Sequence, residues 1–126
     1  MSFAGNVTPI DTYVALQTEA DAVLVDVRTA AEWSYVGQPD LTPIGKRAVF
    51  LEWQSFPDGK LNESFVDQLR ETGVSEGVAI YFLCRSGVRS AAAAEAATAA
   101  GLGPAYNVSD GFEGPLDHRG YRTVLG

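Results

Sequence analysis

Cysteine, histidine and methionine each occur once in this chain of 126 residues. A lone cysteine cannot close an intrachain disulfide, and one histidine beside it cannot complete a Cys/His cluster of zinc spacing. No metal and no cofactor is expected, so the fold must rest on packing. Basic residues are also few: nine Lys and Arg stand against sixteen Asp and Glu, a formal charge of −7. General nucleic-acid binding and attraction to an anionic membrane both need a basic face, and the scattered cations supply none. No stretch of some eighteen apolar residues occurs. The opening "MSFAGNVTPIDTYVALQTEAD" lacks a basic segment followed by an apolar one. A soluble, cytoplasmic protein is expected, and the N-x-S/T sequons at Asn6, Asn62 and Asn107 read as chance matches.

What is present suits one globular domain over residues 1–126, with 46% hydrophobic and 20% charged residues. "TPIDTYVALQTE" predicts a helix with Thr8 as N-cap, Pro9 at its first position and Ile10, Val14 and Ala15 on one apolar face. "AVLVDV" (Ala22 to Val27) is a short β-branched run, the pattern of a strand covered on both sides. "TAAEWSYV" adds a helical turn or two, and "KRAVFLEW" (Lys46 to Trp53) predicts a second strand. The turn Pro57-Asp58-Gly59 leads into a helical "NESFVDQLRETG" that Gly73 stops. "VAIYFLC" (Val78 to Cys84) is the most apolar strand, the alanine-rich segment from Val88 to Ala100 a helix, and "AYNV" (Ala105 to Val108) a fourth strand. Strands alternating with helices predict an α/β fold: a small, mostly parallel sheet with helices on both faces.

Ligands of such sheets bind at the carboxyl ends of strands, and Cys84 stands where the most apolar strand ends. The candidate site is Cys84 with the loop Arg85, Ser86, Gly87, Val88, Arg89 and Ser90. Gly87 lets the loop curl its N–H groups around the sulfur, and the next helix adds its positive end. A free thiol of pKa about 8.5 is about 3% ionised at neutral pH, and helix N-termini and cations raise that fraction. Two guanidiniums, Arg85 and Arg89, suit an oxyanion such as thiosulfate, phosphate or arsenate. The competing reading makes Cys84 a buried filler, but a filler needs no arginines, serines and glycine beside it.

Elsewhere, Asp26 and Arg28 read as an ion pair fixing the loop after the first strand, with Glu32 in the same network. His118 reads as a surface or structural residue, Phe112 as a rim residue of the pocket, and Trp33 and Trp53 as packing.

Three motifs in order, "LVDVRTAAEW" (Leu24 to Trp33), "LCRSGVRS" (Leu83 to Ser90) and "YNVSDGFEG" (Tyr106 to Gly114), resemble a single-domain rhodanese, or thiosulfate sulfurtransferase-like protein. The resemblance covers nearly the whole chain. It implies a rhodanese-like fold and a sulfurtransferase in which Cys84 takes up a sulfane sulfur as a persulfide and passes it on. The partners implied are a small sulfur-containing anion as donor, held by Arg85 and Arg89, and a thiol, cyanide-like or protein acceptor. Related phosphatases and arsenate reductases use Cys-x5-Arg, whereas Cys84 to Arg89 is Cys-x4-Arg, which favours sulfur over phosphate. The alternative of another class is a non-enzymatic sulfur carrier or regulatory binding module using the same loop.

Overall fold

The computed structural model describes residues 3–55, 58–84 and 87–109. Among the described residues the chain runs β1 (Gly5–Val7), α1 (Pro9–Thr18), β2 (Val23–Asp26), α2 (Ala30–Tyr35), a 3-10 turn (Thr42–Ile44), β3 (Val49–Phe50), α3 (Phe65–Glu71), β4 (Glu76–Leu83), α4 (Val88–Ala99) and β5 (Gly103–Val108). The strands form one sheet in the order β1-β5-β4-β2-β3, and every pairing is parallel. The expected α/β architecture with a parallel sheet is therefore the one found.

Alternation along the strands sorts the core into two layers. On one face Val25, Val27, Ile80, Phe82 and Cys84 pack with Phe65 and Leu69 of α3 and with Ala93, Ala94 and Ala97 of α4. On the other, Leu24, Tyr81 and Leu83 pack with Leu16 of α1 and with Leu41. The alanines are what let α4 lie close against the sheet. Because both faces are covered, β2 and β4 carry continuous apolar runs rather than alternating ones.

Three local expectations are corrected. Helix α1 turns Pro9, Thr12 and Leu16 inward, while Ile10 and Val14 are 63% and 51% exposed. Thr12 is tolerated inside because its hydroxyl donates to the Thr8 carbonyl at 2.8 Å. The strand read over Lys46 to Trp53 shrinks to Val49–Phe50, paired with Val25 and Asp26. Beyond it the Leu51 and Trp53 amides still donate to Asp26 and Val27, so the segment keeps its place at the sheet edge. The helix read over residues 62–73 shortens to Phe65–Glu71. A strand was missed at β1, whose three residues are too few to show a period yet pair with Tyr106, Asn107 and Val108. Pro57 of the turn before α3, Phe112 and His118 lie outside the described residues.

Strand β2 connects to β3 on one side, while β4 pairs with its other edge. Adjacent strands whose connections leave in opposite directions open a crevice at their carboxyl ends. Asp26 ends β2 and Cys84 follows β4, so the two stand side by side at those carboxyl ends.

Candidate active site

Cys84 follows β4 directly and is fully buried. Three residues on, Gly87 has φ of 102°, in the left-handed region where a side chain would be strained, and it forms the N-cap of α4. A glycine cap has no side chain to satisfy the free N–H groups of the first turn. The cysteine sulfur takes that part. Its Sγ accepts from the Gly87 N–H at 3.0 Å and from the Ser90 N–H at 3.4 Å, and the Ser90 amide is the third position of the helix, the one an N-cap oxygen usually serves. Cys84 is thus both core and cap, a sulfur held in the positive end of a twelve-residue helix.

A second layer surrounds the sulfur. Ser90, itself fully buried, places its hydroxyl 3.2 Å from Sγ. The same hydroxyl bonds Asn107 Oδ1 on β5, and the Asn107 amide nitrogen donates to Asn6 Oδ1 on β1 at 2.9 Å.

Two charged pairs lie near the strand ends, one between helices and one local. Arg89 of α4 donates to Glu32 of α2 in a two-pronged pair, Nη1 to Oε1 at 2.6 Å and Nη2 to Oε2 at 2.9 Å. Arg89 hydrogen bonding, opposed by burial and assisted by the Thr29 amide, brings the Glu32 carboxyl down from 4.5 to about 2. Glu32 also closes a capping box with Thr29, whose amide and hydroxyl both donate to Oε1. Asp26 and Arg28 form a fully buried pair with Nη2 to Oδ2 at 2.7 Å, and Nη2 also donates to the Gly37 carbonyl at 2.7 Å. This is the loop-fixing pair the sequence suggested, but Glu32 belongs to a separate one.

The sequence-derived site residues fall into three groups. Cys84, Gly87 and Ser90 meet at the sulfur. Arg89 lies within electrostatic reach of Cys84, but both of its terminal nitrogens face Glu32 rather than an open anion site. Val88 is 76% exposed beside the loop, and Arg85 and Ser86 lie outside the described residues. Asn107 was missed as a site residue. Its one signal was an amide in an otherwise apolar strand. Trp33 and Trp53 pack edge-on against Phe50 and Phe65, as expected of packing residues. A groove of about 560 Å³ opens between α2 and the segment before α3, lined in part by Trp33, Glu52, Lys60 and Gln68, and it does not include the sulfur.

The STR4 middle-domain family model matches residues 4–123. Among curated proteins, an uncharacterized protein of Rickettsia conorii is 40% identical over 93% of this chain and 90% of its own length. The chloroplastic rhodanese-like domain-containing protein 4 of Arabidopsis thaliana is 31% identical over 82% of this chain and 22% of that protein. The crystal structure of Rv0390 from M. tuberculosis superposes with a TM-score of 0.82 at 49% identity, covering 99% of this chain and 92% of that one. The polysulfide-sulfur transferase homodimer of Wolinella succinogenes, at 22% identity, shares the fold with a TM-score of 0.66 over 94% of this chain and 77% of that one. The fold is rhodanese-like.

Proposed function

The chain belongs to the STR4 middle-domain family, and from that premise we propose that it is a rhodanese-type sulfurtransferase using Cys84 as its nucleophile. The observation that carries the reading is the sulfur itself, set at the carboxyl end of β4 and accepting two backbone N–H groups at the start of α4. Donors aimed at one sulfur stabilise negative charge on that atom, here the Cys84 thiolate that attacks and is restored at the end of the cycle.

The reaction is a double displacement. The Cys84 thiolate attacks the outer sulfur of thiosulfate; the new S–S bond forms as the donor's S–S bond breaks, and sulfite leaves with the electron pair. An acceptor nucleophile then attacks the outer persulfide sulfur and restores the thiolate. Cyanide as acceptor leaves as thiocyanate. No redox partner is needed, because sulfane sulfur moves without net oxidation of the protein. A polysulfide could deliver the same sulfur, in keeping with the named activity of the Wolinella protein that shares the fold.

Arg89 acts in this scheme as a fixed positive charge beside the sulfur, oriented by Glu32, while direct contact with the donor falls to the loop N–H groups and Arg85. The partners are accordingly a small sulfur-containing anion and a thiol, cyanide-like or protein acceptor. The test is turnover: thiosulfate and cyanide should yield thiocyanate with the native chain and none with Cys84→Ser. Sulfur uptake without turnover to any small acceptor would favour the sulfur-carrier reading, and neither uptake nor turnover would remove both.

A further inference from the structure

Two backbone N–H groups reach Cys84 Sγ, and a third potential donor stands as close: the Ser90 hydroxyl, 3.2 Å away. A hydroxyl has one proton. Its other neighbour is Asn107 Oδ1, an atom that can only accept, so the bond between them uses the Ser90 proton. The amide is held in that sense from behind, because Asn107 Nδ2 donates to Asn6 Oδ1 at 2.9 Å. Ser90 therefore shows the sulfur a lone pair. That suits a thiol, which can donate its proton to Ser90 Oγ, and it opposes a thiolate.

We propose that Asn107 is a positioning residue that withholds the Ser90 proton from Cys84 and so sets how much thiolate the resting protein carries. It acts through Ser90 and makes no direct contact with the sulfur among its hydrogen bonds. The inference rests on the reading of Cys84 as the reacting thiol and adds a control to it. With Asn107 in place the sulfur has two N–H donors; releasing the Ser90 hydroxyl would give the anion a third. Ser90 and Asn107 are both buried, at 0% and 6% exposure, so water does not readily replace either partner.

The charged groups around this chain are the same with or without Asn107. Among the described residues they are Arg89 of α4 with its partner Glu32 of α2, and Asp26 with Arg28 at the end of β2. None hydrogen-bonds Ser90 or Asn107. A change at Asn107 that removes the acceptor therefore alters hydrogen bonding at the sulfur and not its charged surroundings.

The experiment is the pH profile of alkylation by iodoacetamide, followed by intact mass, where the single cysteine gives a single adduct. Burial of the sulfur slows the plateau rate but leaves the midpoint to report ionisation. Asn107→Leu, close in size and without an acceptor, should shift the midpoint about one pH unit lower, with alkylation at pH 7 roughly tenfold faster. The same substitution in a Ser90→Ala background should leave the midpoint where Ser90→Ala alone puts it. Asn107→Asp, the shape-preserving variant should leucine fail to fold, keeps the acceptor, adds negative charge and should shift the midpoint upward. An unchanged or raised midpoint in Asn107→Leu, or an equal shift in both backgrounds, would overturn the proposal. Alkylation needs no sulfur donor, so a failed proposal here is distinct from a protein that never accepts sulfur.

Discussion

Replacing Glu32 by Gln tests whether the pair with Arg89 joins α2 to α4 by charge. Gln keeps the length and still serves the capping box with Thr29, so the substitution removes a negative charge and little else. The Glu32 carboxyl lies at about 2 instead of 4.5, chiefly through its hydrogen bonds from Arg89. Fully expressed, that displacement would correspond to about 3.4 kcal/mol of folding free energy. The two side chains are 21% and 22% exposed, and solvent screens such a pair, so about 1–2 kcal/mol is the expected loss at neutral pH. For a domain of this size that is a fall of roughly 3–8 °C in melting temperature.

The pH dependence carries the sharper signature. A carboxyl with a depressed pKa contributes its full stabilisation above the unfolded value of 4.5 and loses it as pH falls toward 2. Urea midpoints of the native chain and Glu32→Gln should thus differ at pH 7, hold that gap to about pH 5, and converge as the pH drops toward 2. Subtracting the variant removes the other carboxylates that titrate over the same range. A gap that stays constant between pH 5 and 2.5, or no gap at pH 7, would refute the reasoning.

Two further outcomes follow from the frame of the site. Asp26→Asn breaks a fully buried ion pair with Arg28; urea denaturation should show a loss of about 3–5 kcal/mol, and a loss under 1 kcal/mol would mean the pair is not structural. Gly103→Ala at the start of β5 places a Cβ 2.4 Å from the Ala105 nitrogen at a φ of +106°; destabilisation of at least about 2 kcal/mol is expected, and a neutral result would contradict this backbone.

The sequence was most informative where one local pattern decides the outcome. Continuous apolar runs marked β2 and β4 because both faces of the sheet are covered, and Thr8 and Pro9 announced α1 because caps act within one turn. Its inward face was misjudged: Ile10 and Val14 are apolar and exposed, while Thr12 is polar and buried with its own hydroxyl bond. Edge strands β1 and β3 are held by neighbours far away in the chain, so their few residues carry no period of their own. In the site, Cys84 and Gly87 were legible from position and backbone needs. The partners of Arg89 and Ser90 were not, because Glu32 and Asn107 reach them only once β2, β4 and β5 lie side by side. Arg89 looked like an open anion clamp for that reason. The described residues include no helix long and apolar enough to cross a membrane.

The central claim, that the Cys84 sulfur accepts a second sulfur atom, is tested most directly by weighing the intact protein after incubation with thiosulfate. A gain of one sulfur atom is expected, lost again on adding cyanide and absent in Cys84→Ser. A native chain whose mass is unchanged with thiosulfate and with polysulfide, while its thiol still alkylates, would contradict it.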